Sequence, residues 1–103
     1  MAFLYSTQFA AGVLAGGSAN VFTVPAGKVL VLRDVSYGVF TGTTAQVAWG
    51  ISGIGFMGVA SGLANNSEYH WTGRAVLVAG QTLVVQCATS TINYVCSGYL
   101  LSI

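Results

Sequence analysis

The chain has 103 residues, of which 54% are hydrophobic and 5% are charged, and its formal net charge is +1. Soluble domains usually carry about 25% charged residues. Enzymes and metal sites need clustered ionisable groups, and nucleic-acid-binding proteins need a basic patch. The few charges of this chain are dispersed, so we expect no catalysis, no cofactor, no metal and no nucleic-acid partner. The weakly charged surface predicts a protein that is covered by other protein chains. The charged residues are Lys28, Arg33, Asp34, Glu68 and Arg74.

The first residues do not form a secretory signal, because no basic segment precedes an unbroken apolar run before the polar residues 6–8. We therefore expect synthesis in a cytoplasm. The uncharged window from Gln46 to Ala64 is long enough to suggest a membrane helix, and it contains the small-xxx-small pattern Gly58 to Gly62. However, repeated glycines in this window lower its helix propensity. A small membrane protein is thus a third interpretation, behind two others given below.

The predicted elements are short β-strands, with no helical periodicity between them. Small residues from Ala10 to Gly17 suggest a loop, so residues 1–19 are expected to form an N-terminal arm or loop. Turns are predicted at Pro25-Ala-Gly27, Ala79-Gly80 and residues 88–91. About eight strands make a single all-β domain over residues 1–103, an antiparallel β-sandwich of jelly-roll type. The strands are predicted at Asn20–Val24, Lys28–Phe40, Ala45–Ile51, Gly53–Val59, Tyr69–Trp71, Arg74–Val78, Gln81–Cys87 and Ile92–Leu101.

The long strand that begins at Lys28 has apolar residues on both faces, so both faces are expected to be covered. Arg33 and Asp34 are neighbours on this strand and should point to opposite faces. Each is then expected to pair across a sheet or a subunit boundary, for example with Glu68 or Arg74. These four residues are candidate interface charges.

Two short patterns could suggest chemistry. Gly53-Ile-Gly55-Phe-Met-Gly58 matches the dinucleotide fingerprint as a string, but no helix and no acidic partner follow it, so the glycines are interpreted as strand or loop positions. His70 beside Glu68 could be a general base. No serine, cysteine or aspartate is tied to the two residues by a motif, which favours a surface or interface histidine.

The two cysteines, Cys87 and Cys96, cannot form a structural zinc site without histidine partners. In a final hairpin with its loop between Ser90 and Ile92, they would face each other and could be bridged. Synthesis in a cytoplasm favours buried thiols, and a disulfide formed after release is the alternative.

Three segments resemble small β-sandwich virion proteins of tailed bacteriophages, which include capsid decoration and minor tail proteins. They are Val24-Pro-Ala-Gly-Lys28, the run from Trp71 to Leu83 with its Ala-Gly-Gln-Thr-Leu turn, and Val95-Cys-Ser-Gly-Tyr-Leu100. The resemblance covers most of residues 21–103. It implies a non-enzymatic structural role in the virion, with major capsid or tail proteins as partners. Together with the apolar composition, it leads us to expect a self-associating protein, a homotrimer, that decorates or stabilises the capsid or forms part of the tail.

The alternative function is a carbohydrate- or receptor-binding module. Exposed aromatic rings provide stacking surfaces for sugars, and four residues could form one: Trp49, Tyr69, Trp71 and Tyr99. Only Tyr69 and Trp71 share an evident strand face, and core or interface packing is the simpler explanation of all four.

Overall fold

The computed structural model describes residues 7–41, 45–63 and 67–102, which form an all-β, antiparallel fold. Within these ranges no helix is long and apolar enough to cross a membrane. Two strands, Ala45–Ile51 and Gly55–Leu63, occupy most of the Gln46 to Ala64 window, for which a membrane helix was the third interpretation. The strands are β1 (Thr7–Thr23), β2 (Lys28–Thr41), β3 (Ala45–Ile51), β4 (Gly55–Leu63), β5 (Glu68–Val78) and β6 (Thr82–Ser102).

β6 is the central strand, and it belongs to two sheet layers. Its first half pairs with β3, and β4 lies outside β3. Its second half pairs with β2, and β5 lies outside β2. β1 pairs with β6 across both halves. The result is a sandwich whose layers, β3–β4 and β2–β5, are joined along one side by the β1–β6 pair.

β1 occupies the segment where the sequence predicted a loop or arm, so that prediction is wrong over the described residues 7–19. The small residues of β1 pack against large side chains of β6: a Cβ added at Gly12 would lie 2.8 Å from the Tyr94 hydroxyl. Gly16 and Gly17 have φ of 76° and 90°, and the register shifts there. These two glycines allow β1 to bend from one layer to the other.

The predicted final hairpin is also wrong, because the two predicted strands at the C-terminal end are one continuous strand, β6. Cys87 lies in its first half, next to Val47 of β3, and Cys96 lies in its second half, next to Val35 of β2. They are therefore not cross-strand neighbours and are not bridged. Both are buried thiols in the core, which was the favoured prediction, and the alternative disulfide is not present.

A register shift at Arg33 changes which residues of β2 face the core. Before it, Leu30 and Leu32 are buried, and after it Val35 and the alternate residues that follow are buried. A bulge inserts one residue and so reverses the alternation. Arg33 and Asp34 consequently both lie on the outer face, which corrects the prediction that they point to opposite faces.

Aromatic and aliphatic side chains from both layers fill the core. Trp49 of β3 contacts Trp71 of β5 across the layers, with ring centroids 4.7 Å apart. Gly58 of β4 lies against the indole of Trp49, where a Cβ would collide with the ring. The larger fully buried side chains are Trp49, Tyr37, Leu30, Leu32, Leu77, Leu83 and Ile92.

The two predicted glycine turns are confirmed. Gly27 and Gly80 have φ of 76° and 88°, the left-handed region that favours glycine. The turns lie side by side, because the backbone N–H of Val24 donates to Gln81 O at 3.0 Å and that of Gly80 donates to Val24 O at 2.9 Å. This pairing fixes the ends of β1, β2, β5 and β6 relative to one another.

Candidate assembly surfaces

The outer face of β5, β2 and the second half of β6 carries a regular apolar grid, here called the apolar face. Its first row is Val78–Val29–Leu101 and its second row is Val76–Val31–Tyr99, as the pairing registers place them. Val76 and Val78 are each 51% exposed and Leu101 is 47% exposed, whereas Val29 and Tyr99 are partly buried and the central Val31 is only 1% exposed. Contiguous exposed apolar groups of this kind mark protein interaction sites.

A second apolar area lies on the opposite layer, at β4 and the turn before it, and is here called the β4 rim. Ile54 is 61% exposed, and Phe56, Met57 and Val59 are each close to half exposed. β4 pairs with β3 and is the last strand in this layer. It has no charge and no proline, the residues with which natural edge strands prevent pairing with other chains.

A shallow groove of about 470 Å³ lies beside the β4 rim. Its lining includes Gly53 and Gly55 of the fingerprint-like string, and both glycines have positive φ. Here they form the turn between β3 and β4 and precede a strand. None of the lining residues is ionisable, so the groove has no group to balance a phosphate charge. Its lining is Ser18, Asn20, Ile51, Ser52, Gly53, Ile54, Gly55, Phe56 and Val84.

Polar residues form a cluster beyond the bulge, on the same outer face as the apolar grid. His70 Nε2 lies 3.4 Å from Asp34 Oδ1, and Ser36 Oγ lies 3.2 Å from His70 Nδ1 and 3.4 Å from Nε2. The partner of His70 is therefore Asp34, and not the Glu68 that the sequence suggested. A catalytic relay holds the base between two groups, one on each ring nitrogen. Here Ser36 lies near both nitrogens of a side chain that is 61% exposed, which favours a surface cluster.

The predicted interface charges are all on the outer face, but the structure does not pair them with one another. Arg33, Glu68 and Arg74 are exposed, and Asp34 interacts with His70. Glu68 and Arg74 lie on β5, which pairs with β2 and is the last strand in its layer. Both charges are therefore available to a partner at this edge.

The four candidate aromatics do not form a sugar-stacking platform. Trp49 is 1% exposed, and Trp71 packs against it. Tyr69 stacks on the buried Tyr37, with ring centroids 5.9 Å apart. Tyr99 is partly buried in the apolar face. The structure thus places Trp49 in the core and does not bring the four rings together on one exposed surface.

Two ionisable groups in the core have strongly altered acidity. Burial raises the pKa of the Cys96 thiol to about 12. Burial, with smaller effects of Cys96 and Tyr69, raises the pKa of Tyr37 well above its usual value. Both groups are neutral at physiological pH, so Cys96 is a packing residue and not a nucleophile. The described residues contain no group of three His, Cys, Asp or Glu side chains that could hold a metal ion.

Neither the apolar face nor the β4 rim is evident from the sequence. For the apolar face, the signal is alternation in three segments: Val29/Val31, Val76/Val78 and Tyr99/Leu101. Each pair is consistent with either a core-facing or an outward strand face, and only the pairing register shows that the three pairs are adjacent and outward.

Comparisons with known proteins show the same fold in structural proteins. No family model matches the chain, and no curated protein sequence matches it. A chain from the acid-stable capsid structure of Helicobacter pylori bacteriophage KHP30 has a TM-score of 0.60 and 13% identity, over 97% of this chain and 94% of that one. A chain from the disulfide-linked pili that form Bacillus endospore appendages has a TM-score of 0.53 and 10% identity, over 95% and 87%. The chain thus resembles subunits of assemblies in fold.

Proposed function

We propose that this protein is a non-enzymatic structural component of a phage virion, a self-associating β-sandwich that decorates or stabilises the capsid or forms part of the tail. The observation that carries the proposal is the apolar face. A monomer in water gains nothing from half-exposed Val76, Val78 and Leu101 on one outer sheet face, whereas a subunit covered by a neighbour does.

The fold and the chemistry support the same function. The similarity to a phage capsid chain extends over nearly the full length of both chains. Where the polar residues cluster, at Asp34, Ser36 and His70, they are exposed and do not form a catalytic arrangement. The proposed oligomer is a homotrimer, and its further partners are the major capsid or tail proteins.

The test is to locate the protein in purified phage particles. Particles banded on a density gradient and analysed by mass spectrometry should contain it at a fixed ratio to the major capsid protein, and a high-salt wash should not remove it. Labelled antibodies viewed by electron microscopy would then distinguish capsid from tail. Recovery only in the particle-free fraction would contradict the proposal.

Light scattering on the isolated protein tests the self-association. We expect a species several times larger than the 10.6 kDa chain at micromolar concentration. A soluble monomer at all concentrations would contradict the proposed self-association.

A further inference from the structure

We propose that the free edge of β5 is a two-fold contact with a second copy of this chain, in which the two β5 strands pair antiparallel about Trp71. The inference rests on the proposed self-association and assigns a surface to it. β5 pairs with β2 on one side and ends the layer on the other. β4 and β5 are in contact but do not pair in the described part of the chain.

The charges on β5 are arranged for pairing with a copy of itself. Glu68 precedes Trp71 by three positions and Arg74 follows it by three. In an antiparallel pair centred on Trp71, Glu68 of each copy lies opposite Arg74 of the other, and this happens twice because the contact is symmetric. Directly opposed residues have Cβ atoms about 4.5–5.5 Å apart, within reach of an ion pair. Neither charge has an ion-pair partner among the described residues of its own chain.

In the same register Tyr69 lies opposite Gly73, His70 lies opposite Thr72, and Trp71 lies opposite its own copy. The Trp71 ring of the same chain already lies 3.0 Å from where a Cβ of Gly73 would stand. Glu68 and Arg74 are both exposed and, by the strand alternation, lie on the outer face with Val76 and Val78. The contact would thus continue the outer face, including the apolar grid, from one copy into the next.

The other strand edges lack this complementarity. β1 and β4 contain no charged residue, so self-pairing of either would form no ion pair. Opposite charges that meet at one register favour that register and that partner. An uncharged edge has no such preference.

Charge reversal provides the test. Glu68→Arg places two arginine pairs in the contact, and Arg74→Glu places two glutamate pairs there. Each variant should raise the dissociation constant of the two-fold contact at least about tenfold at low salt, since two attractions become two repulsions. An equimolar mixture of the two variants should restore association, because every opposed pair is then of opposite sign. The double variant E68R/R74E should also associate.

The controls separate this contact from other effects. Arg33→Glu reverses an exposed charge on β2, away from the edge, and should leave the association unchanged. Circular dichroism of each variant checks that the fold is retained. The difference between variants and wild type should shrink at 0.5 M salt, where the Debye length is a few ångströms.

Sedimentation and light scattering give the outcome. An even number of copies, together with rescue by mixing, supports the contact; combined with a three-fold interface it gives six copies. Association that neither single variant weakens would overturn it. A wild-type trimer that forms no larger species would also overturn it, while leaving the proposed virion function untouched.

Discussion

At several positions of this protein, close packing decides which residue type fits, and no reactive or binding group is required there. Trp49 needs the bare backbone of Gly58 above its ring, and Tyr94 lies over Gly12. The sequence shows these glycines, but it does not show their partners, because each contact joins different strands. Sequence reasoning interpreted Gly58 as a strand or loop glycine, and the structure adds that its role is a close approach to the core tryptophan.

Gly58→Ala should therefore destabilise the fold by about 1–3 kcal/mol, since the new methyl group must displace a buried indole that packs on Trp71. Gly12→Ala is the matched control. Its added methyl group meets the outer end of the half-buried Tyr94 ring, which can move, so the cost should be smaller. Urea unfolding of both variants measures the two costs. Equal costs would show that the Trp49–Gly58 contact is not constrained by the core.

The buried Cys96 thiol should make the protein sensitive to alkali. Its pKa rises from 9.0 to about 12 on folding, so the folded state disfavours the thiolate. This contribution to stability is fully present below pH 9 and is lost as the pH rises through about 12, by up to about 1.4 kcal/mol per pH unit. Cys96→Ala should give a shallower alkaline decline in the free energy of unfolding, even if its stability at pH 7 is lower.

The same burial predicts that native Cys96 resists alkylation at pH 8 and reacts after denaturation. Mass spectrometry after labelling reads this out directly. Rapid native labelling, or parallel pH profiles of wild type and Cys96→Ala, would place the thiol outside the core.

At the scale of elements, β-propensity and turn residues predicted part of every described strand, but not β1 before residue 20 and not the continuity of β5 and β6. The turns at Gly27 and Gly80 were identified because each needs a backbone that glycine adopts easily. The interruption expected at residues 88–91 was wrong, since a polar run also occurs inside a long strand that bends between two layers. The bulge at Arg33 has no local sequence mark, because it is set by pairing with β6.

The bulge at Arg33 should be essential for folding. Deleting Arg33 removes the residue that reverses the alternation of β2, so Val35, Tyr37 and Val39 would turn from the core to the outer face. The loss of three large buried side chains exceeds the margin of a small domain, and the variant should fail to fold cooperatively. Arg33→Ala keeps the residue count and should change stability by no more than about 0.5 kcal/mol. A cooperative thermal transition in the deletion variant would show that β2 can shift its register without loss.

For the whole molecule, the all-β antiparallel class was predictable from composition and strand spacing. Composition also predicted that part of the surface is covered by other chains, but it did not predict which part. Scarce charge indicated that the surface is covered, because a free surface needs hydration. Where it is covered depends on which strands are neighbours. That order, with β6 between β1 and both β2 and β3, follows from long-range pairing that a single sequence does not display.

Lysine substitutions on the apolar face test whether this face is covered in the particle. Val76 and Val78 are half exposed, so the double variant Val76→Lys, Val78→Lys should fold with a loss of no more than about 2 kcal/mol, within the range that strand propensity covers for two positions. If the face is covered in the assembly, the two ammonium groups must be desolvated there, and the variant should not incorporate into particles. Ala79→Lys adds one lysine at the exposed neighbouring turn, off the grid, and should incorporate like wild type. Quantitative mass spectrometry of gradient-purified particles compares the three proteins. Normal incorporation of the double variant would mean that the particle leaves this face in contact with water.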